Sequence, residues 1–316
     1  LAGDLAWSNG PNESTGAPPA EYEVLKPDCK NATVRFLKDH LRSATSSPWR
    51  DRIEVVGVGF DWQNVAQVHG FESTLGYNPF RLAELSLATG ARDYIAGPDQ
   101  KTFSPLFSSY DSPMADHLGI RFVVTGAPIE EIDRKLEPAA LKLVALTSDG
   151  FIYENLHALP RVLFTTDWQR ADFAHLTKTG NWPSFDPRRT VLLENAPARR
   201  ENLIALAKLS VASGAYIRAY ENTRVVVDVT AAQPGFLVLH DLWHPWWEAE
   251  VDGREVPILR ANVLFRAVEL PAGRHTVTFR FKPLAGAMAE VSEKLFEPVA
   301  KAATSAVRPI SVVPLP

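Results

Sequence analysis

With a single cysteine, Cys29, in 316 residues, the chain can form neither an internal disulfide framework nor a zinc site built on cysteines. Thiol content therefore neither requires nor excludes an oxidising compartment. Pro27 and Asp28 place Cys29 in a loop without a neighbouring histidine or helix N-terminus to activate it, which makes a nucleophilic role the lesser reading. Long hydrophobic runs are also missing. Nothing approaches the ~20 unbroken apolar residues of a membrane helix, and the N-terminus has neither a basic n-region nor an apolar h-region. Charge of one sign is lacking too, since 33 Lys and Arg stand against 37 Asp and Glu, a formal net charge of -4 with no arginine-rich run. Without a basic field, nucleic acid is not an expected partner. What remains is a soluble globular composition, 46% hydrophobic and 22% charged, long enough for one large or two ordinary domains.

Reaction motifs are equally sparse. There is no G-x-S-x-G elbow, no P-loop lysine motif and no H-E-x-x-H, and Gly57-Val58-Gly59 stops short of a dinucleotide fingerprint. Paired carboxylates for glycoside hydrolysis can converge from anywhere in a chain, so sequence leaves that chemistry open. The local candidates Glu130, Glu131 and Asp133 read as a solvated helix start.

The fold expected from the pattern is α+β, an N-terminal mixed α/β layer followed by a C-terminal antiparallel β-sandwich of jelly-roll type. Residues 1–30 are rich in Gly, Pro, Ser and Asn without a sustained period and read as an extended arm. A mixed domain spans 31–205. Asn31 caps a helix with Val34, Leu37 and Leu41 on one face, and RIEVVGVGF at 52–60 reads as a buried strand. Asn78, Pro79 and Gly90 bracket another helix through Leu82 and Leu85, and Ser112 starts a short one leading into IRFVVTG. Strands at LKLVALT, FIYENL, RVLFTT and RRTVLLEN follow, with a helix capped by Asp167 before the last.

Residues 206–283 change rhythm to seven short strands from Gly214 onward, the pattern of a sandwich. Val225, Val227 and Val229 alternate cleanly, as do Val277, Phe279 and Phe281, and Asp252-Gly253 is a two-residue hairpin turn. In 284–316, a C-terminal helix and tail, Leu284, Met288, Val291, Leu295 and Val299 share one helical face, which is expected to dock on the sandwich before Pro298 ends or kinks the helix.

The stretch HDLWHPWWEAEVDG holds three of the chain's eight tryptophans and two of its eight histidines. His240, Asp241 and His244 have ligand chemistry, but Pro245 prevents the helix that would align the two histidines, and no third or fourth ligand follows, so no metal is expected. Trp243, Trp246, Trp247, Asp241, His244 and Glu248 supply the flat faces and polar groups of a sugar-binding platform. Adjacent Trp246 and Trp247 on a strand point to opposite faces, so at least one is expected in the core, and packing competes with sugar binding as the purpose of the cluster.

Pro234 to Pro283 resembles the C-terminal extracytoplasmic region of the YfhO-like bacterial membrane proteins. The resemblance runs through Pro234-Gly235, Asp241, Trp243 with Pro245 and Trp247, Val251-Asp252-Gly253, Arg260-Ala261-Asn262, Pro271-Ala272-Gly273 with His275, and Phe281 with Pro283. One departure is Trp246, where the family pattern has glycine. Upstream, LGYNPFRL, HLGIRFVVTG, YENLHALPRVLF and FDPRRTVLLEN are similar to other recurring family stretches, so the resemblance spans about 50–283. It implies the extracytoplasmic domain of a polytopic, C-type glycosyltransferase architecture that uses polyprenyl-phosphate-linked sugar, on the periplasmic or outer face of a bacterial inner membrane. The implied partners are the parent chain's transmembrane helices and an envelope glycan or lipid-linked sugar. Because the catalytic Asp of that architecture normally lies in an early loop between membrane helices, no catalytic residue and no cofactor are expected here. Asn12-Glu-Ser and Asn31-Ala-Thr match the N-glycosylation pattern and read as chance in a bacterial protein.

Overall fold

A computed structural model describes residues 22–59, 61–74, 83–90, 107, 109–195 and 212–288. The chain adopts an α+β fold, with three sheets among the described residues. The first contains β1 (Arg52–Val56), β2 (Glu72–Ser73), β3 (Ile120–Thr125), β4 (Lys142–Leu146) and β5 (Phe151–Glu154) in the order β2-β1-β3-β5-β4. β1 runs parallel to both β2 and β3, whereas β5 pairs antiparallel with β3 and β4.

Helix α1 (Ala32–His40) covers this sheet, burying Val34 and Leu37 as the spacing requires. The Asn31 side chain accepts from the Val34 N–H and donates to Asp149 at 2.9 Å, so its amide is used in the fold. Short helices α2 (Val65–His69), α3 (Ala83–Thr89), α4 (Pro113–His117) and α5 (Ile129–Ile132) lie along the chain between strands. Asn78 and Pro79, expected to start α3, lie outside the described residues, as do 1–21 and 289–316 with Val291, Leu295 and Val299.

β6 (Val162–Thr165), β7 (Asp167–Arg170) and β8 (Thr190–Leu193) flank helix α6 (Phe173–Thr179). The helix cap is Asp172, which accepts from the His175 N–H, and not Asp167. Asp167 instead opens β7, which pairs in parallel with β8 and so claims 167–170 for the sheet.

The sandwich comprises β9 (Gly214–Glu221), β10 (Arg224–Ala231), β11 (Gly235–Leu242), β12 (Trp247–Val251), β13 (Arg254–Val256), β14 (Leu259–Ala261), β15 (Phe265–Leu270) and β16 (Gly273–Phe281). Its two sheets run β13-β12-β16-β10-β9 and β6-β11-β15-β14-β8-β7. Strands on both sides of residue 206 therefore share one sheet. The expected strand EVPILR is two strands, because Pro257 has no N–H for the ladder and the chain crosses there from one sheet to the other. Val225, Val227, Val229, Val277 and Phe279 fill the space between the sheets with Leu237, Leu239 and Val268. Asp252 and Gly253 both have positive φ, 52° and 79°, the twist a two-residue hairpin needs to join β12 to β13.

The face carrying Leu284 and Met288 does not dock on the sandwich. Residues 283–288 are helical, yet Leu284 is 82% and Met288 74% exposed. The contact is made by Gly286, where a Cβ would fall 2.3 Å from Cγ of Trp246. Gly286→Ala, which in a free helix stabilises by roughly 0.5–1 kcal/mol, is expected here to loosen this helix from Trp246. A red shift in tryptophan emission with faster proteolysis after residue 282 would register it, and an unchanged spectrum with higher stability would contradict the contact.

Candidate functional site

The sequence cluster at 240–248 divides into a buried half and a rim. Asp241, near the end of β11, is buried. Its Oδ1 accepts from Arg52 Nη2 at 2.8 Å and Arg161 Nη1 at 3.0 Å, and its Oδ2 accepts from the Tyr220 hydroxyl at 2.8 Å, with Arg266 Nη2 at 3.5 Å. Arg161 also donates to Tyr220 Oη at 2.6 Å, to Glu72 Oε2 at 2.6 Å and to the Arg50 carbonyl at 2.8 Å. Arg50 closes the chain by donating from Nε to Glu72 Oε1 at 2.6 Å while its guanidinium stacks 4.0 Å from the Tyr220 ring centre.

This cluster joins all three sheets: Arg52 and Glu72 come from the first, Tyr220 from the second and Asp241 and Arg266 from the third. Burial alone would raise the Asp241 carboxyl, but the guanidiniums of Arg161, Arg52 and Arg266 hold it well below the usual carboxylate range. Burial pushes the Tyr220 phenol up to about 12, so it stays neutral and donates. With both oxygens bonded inside the protein, Asp241 has a structural part and no free side for sugar hydroxyls.

Trp247 is half-buried, packs on the sandwich core and carries the Arg266 guanidinium 3.8 Å from its ring centre. Trp246 falls in the turn before β12, so it does not alternate with Trp247 along a strand. Its ring meets Gly286 on one side and lies 4.7 Å edge-on from His244 and 6.0 Å from Phe281. Trp243 is half-buried, donates its backbone N–H to the Leu264 carbonyl at 2.6 Å and faces Arg260 at 5.8 Å. Glu248 is exposed and pairs with Lys282 at 3.4 Å. Glu248 is thus exposed, Trp243, His244, Trp246 and Trp247 are each half-buried, with Trp247 also packed on the core, and Asp241 is buried.

His240 is fully buried and does not join His244. Its Nδ1–H donates to the Pro160 carbonyl at 2.7 Å, and its ring meets His117 edge-on at 5.5 Å. His117 likewise donates from Nδ1 to the Pro113 carbonyl at 2.6 Å and stacks on Trp182 and Phe265. Burial lowers His117 to about 4, and burial together with His117 lowers His240 to about 3, so both are neutral near pH 7. Among the described residues, no group of three or more His, Cys, Asp and Glu could hold a metal ion.

Two other sequence candidates change character. Asp133 is not solvated: it is buried and accepts from the Tyr110 N–H at 2.7 Å, the Ser109 hydroxyl at 2.7 Å and the Lys135 N–H at 3.0 Å, while Glu130 and Glu131 are exposed. Cys29 does have a histidine neighbour, with His69 Nε2 3.6 Å from its sulfur. The same nitrogen lies 2.8 Å from the Val24 carbonyl and must carry a proton to donate there, so it cannot take one from the thiol. Asp116, which burial raises to about 6, accepts from the Asn155 amide at 2.7 Å.

The cluster's arginines escaped sequence reasoning, although one signal was visible. Arg266 interrupts the apolar run VLFRAVEL, and an arginine there must be paired or stacked if the strand is a core strand. The chain matches no family model, no curated protein and no solved structure. No helix among the described residues is long and apolar enough to cross a membrane.

Proposed function

We propose that this chain is a non-catalytic extracytoplasmic domain of a membrane-embedded, glycosyltransferase-like protein, where it positions an envelope glycan or lipid-linked sugar for chemistry done elsewhere in the parent chain. The observation that carries the non-catalytic part is the consumption of Asp241: the buried carboxylate of the tryptophan-rich stretch is locked by three arginines and a tyrosine. A joint of that kind suits a rigid platform. The resemblance of about 50–283 to the YfhO-like proteins supports the location and the parent architecture, with transfer from a polyprenyl-phosphate-linked donor by the membrane part. Within this reading the rim residues Trp243, His244, Trp246 and Glu248 make the sugar contacts, and Asp241 and Trp247 support them.

On an array of envelope glycans, the intact chain is expected to bind, and the Trp243→Ala, Trp246→Ala double variant to lose binding by tenfold or more while keeping its fold. Equal binding by the double variant would remove the rim from the account.

A second reading, a structural or partner-binding cap on the membrane region, draws on a separate observation: the exposed Leu284 and Met288 one turn apart on the helix whose Gly286 meets Trp246. It predicts no binding to any glycan on the array.

A further inference from the structure

The cluster around Asp241 holds more positive than negative charge. Among the described residues, four guanidiniums, from Arg50, Arg52, Arg161 and Arg266, meet two carboxylates, from Glu72 and Asp241, an excess of two positive charges. Tyr220 does not offset it, because a neutral phenol contributes no charge. The excess falls on Arg266, which is 1% exposed. Its contact with Asp241, at 3.5 Å, is longer than an ordinary N–H···O hydrogen bond. Its Nε and Nη1, and Nε of Arg161, meet no acceptor among the described residues. Trp247 at 3.8 Å and Phe279 at 5.4 Å lie against the guanidinium. Cation–π attraction offsets part of the cost of burying its charge, but it leaves these N–H donors without conventional acceptor lone pairs. A buried ionised donor left unpartnered costs more than a neutral one, and folded proteins seldom tolerate it.

We propose that Arg266, with Arg161, holds a small inorganic anion of halide size beneath Trp247, chloride being the simplest. A single-atom anion fits better than a phosphate or a carboxylate, since each further oxygen would need a donor and, among the described residues, three nitrogens of Arg161 and Arg266 are left without an acceptor. The ion halves the charge excess and accepts from Arg266. It thereby becomes part of the joint between the sheets, independent of any sugar bound at the rim.

The test uses the whole chain in thermal unfolding at constant ionic strength, with sodium chloride replacing sodium gluconate. A saturable rise in Tm of a few degrees is expected, reproduced by bromide and lost in Arg266→Met, which keeps an apolar stem against Trp247. Crystals of the unsubstituted chain grown in sodium bromide are expected to show bromide within hydrogen-bonding distance of Arg266 Nε or Nη1. That experiment decides the matter even where Arg266→Met fails to fold. A Tm indifferent to halide, or bromide found only on the surface as an adventitious ion, would overturn the site.

Discussion

Asp241→Asn is expected to lose about 3–5 kcal/mol of unfolding free energy, a large part of what a protein of this size possesses. The reason is asymmetric. The amide keeps the shape and one acceptor oxygen, but Arg52, Arg161 and Arg266 would stay buried with their shared counter-charge removed. Tyr220→Phe, which removes only the hydroxyl donating to Oδ2, is expected to cost about 1 kcal/mol. Adding Arg266→Met to Asp241→Asn should recover part of the loss, because one of the stranded charges goes with it. Chemical denaturation of the four proteins checks the series. An Asp241→Asn variant within about 1 kcal/mol of the parent would mean that the arginines are hydrated and that the cluster is not the joint between the sheets.

Stability is expected to fall steeply as pH drops from 6.5 towards 3. His117 and His240 have folded values of about 4 and about 3 against an ordinary 6.5, so the unfolded chain takes up protons first as pH falls. Their contribution is complete above about pH 6.5 and is lost progressively below it, at up to about 1.4 kcal/mol per pH unit for each histidine. Asp116 works the other way. With its folded value raised to about 6 from 3.8, the folded chain binds the extra proton between those values and the slope is reduced there. Below pH 3.8 Asp241, whose carboxyl is held low, adds its own loss. Denaturant titrations across pH 3.5–7.5 read the curve directly. His240→Gln, which preserves a donor for the Pro160 carbonyl, should remove about half of the slope between pH 6.5 and 4. A flat profile in the parent chain would show that the two rings are not buried as a neutral pair.

Much of the fold was legible in the sequence because its signals are local. Asn31 as a cap, the alternating valines of β10 and the Asp252-Gly253 turn each depend on a few neighbouring residues, and each appears as expected. The misreadings involve partners distant in the chain. Asp167 resembles a helix cap until β8 is seen to claim it for a sheet, and the sandwich recruits β6, β7 and β8 from upstream of 206. The apolar face of Leu284 and Met288 follows from period alone, whereas the contact with Trp246 is made by Gly286 on the other side.

The candidate site was legible as a concentration of tryptophans but not in its division of labour. Asp241 reads as a sugar ligand only while its partners are unknown. Arg52 is 189 positions away and Arg161 80, distances over which no periodicity or spacing carries information. Arg266 alone announced itself, as a charge within an apolar strand.

The claim that this is the extracytoplasmic domain of a membrane-embedded glycosyltransferase-like protein is tested most directly on the native gene. The measurement is the reading frame upstream of Leu1, scored for apolar spans of ~20 residues. Ten or more such spans, with an Asp in the first extracytoplasmic loop, is the result predicted. A signal peptide and nothing else would make the chain a secreted glycan-binding or structural protein and contradict the account.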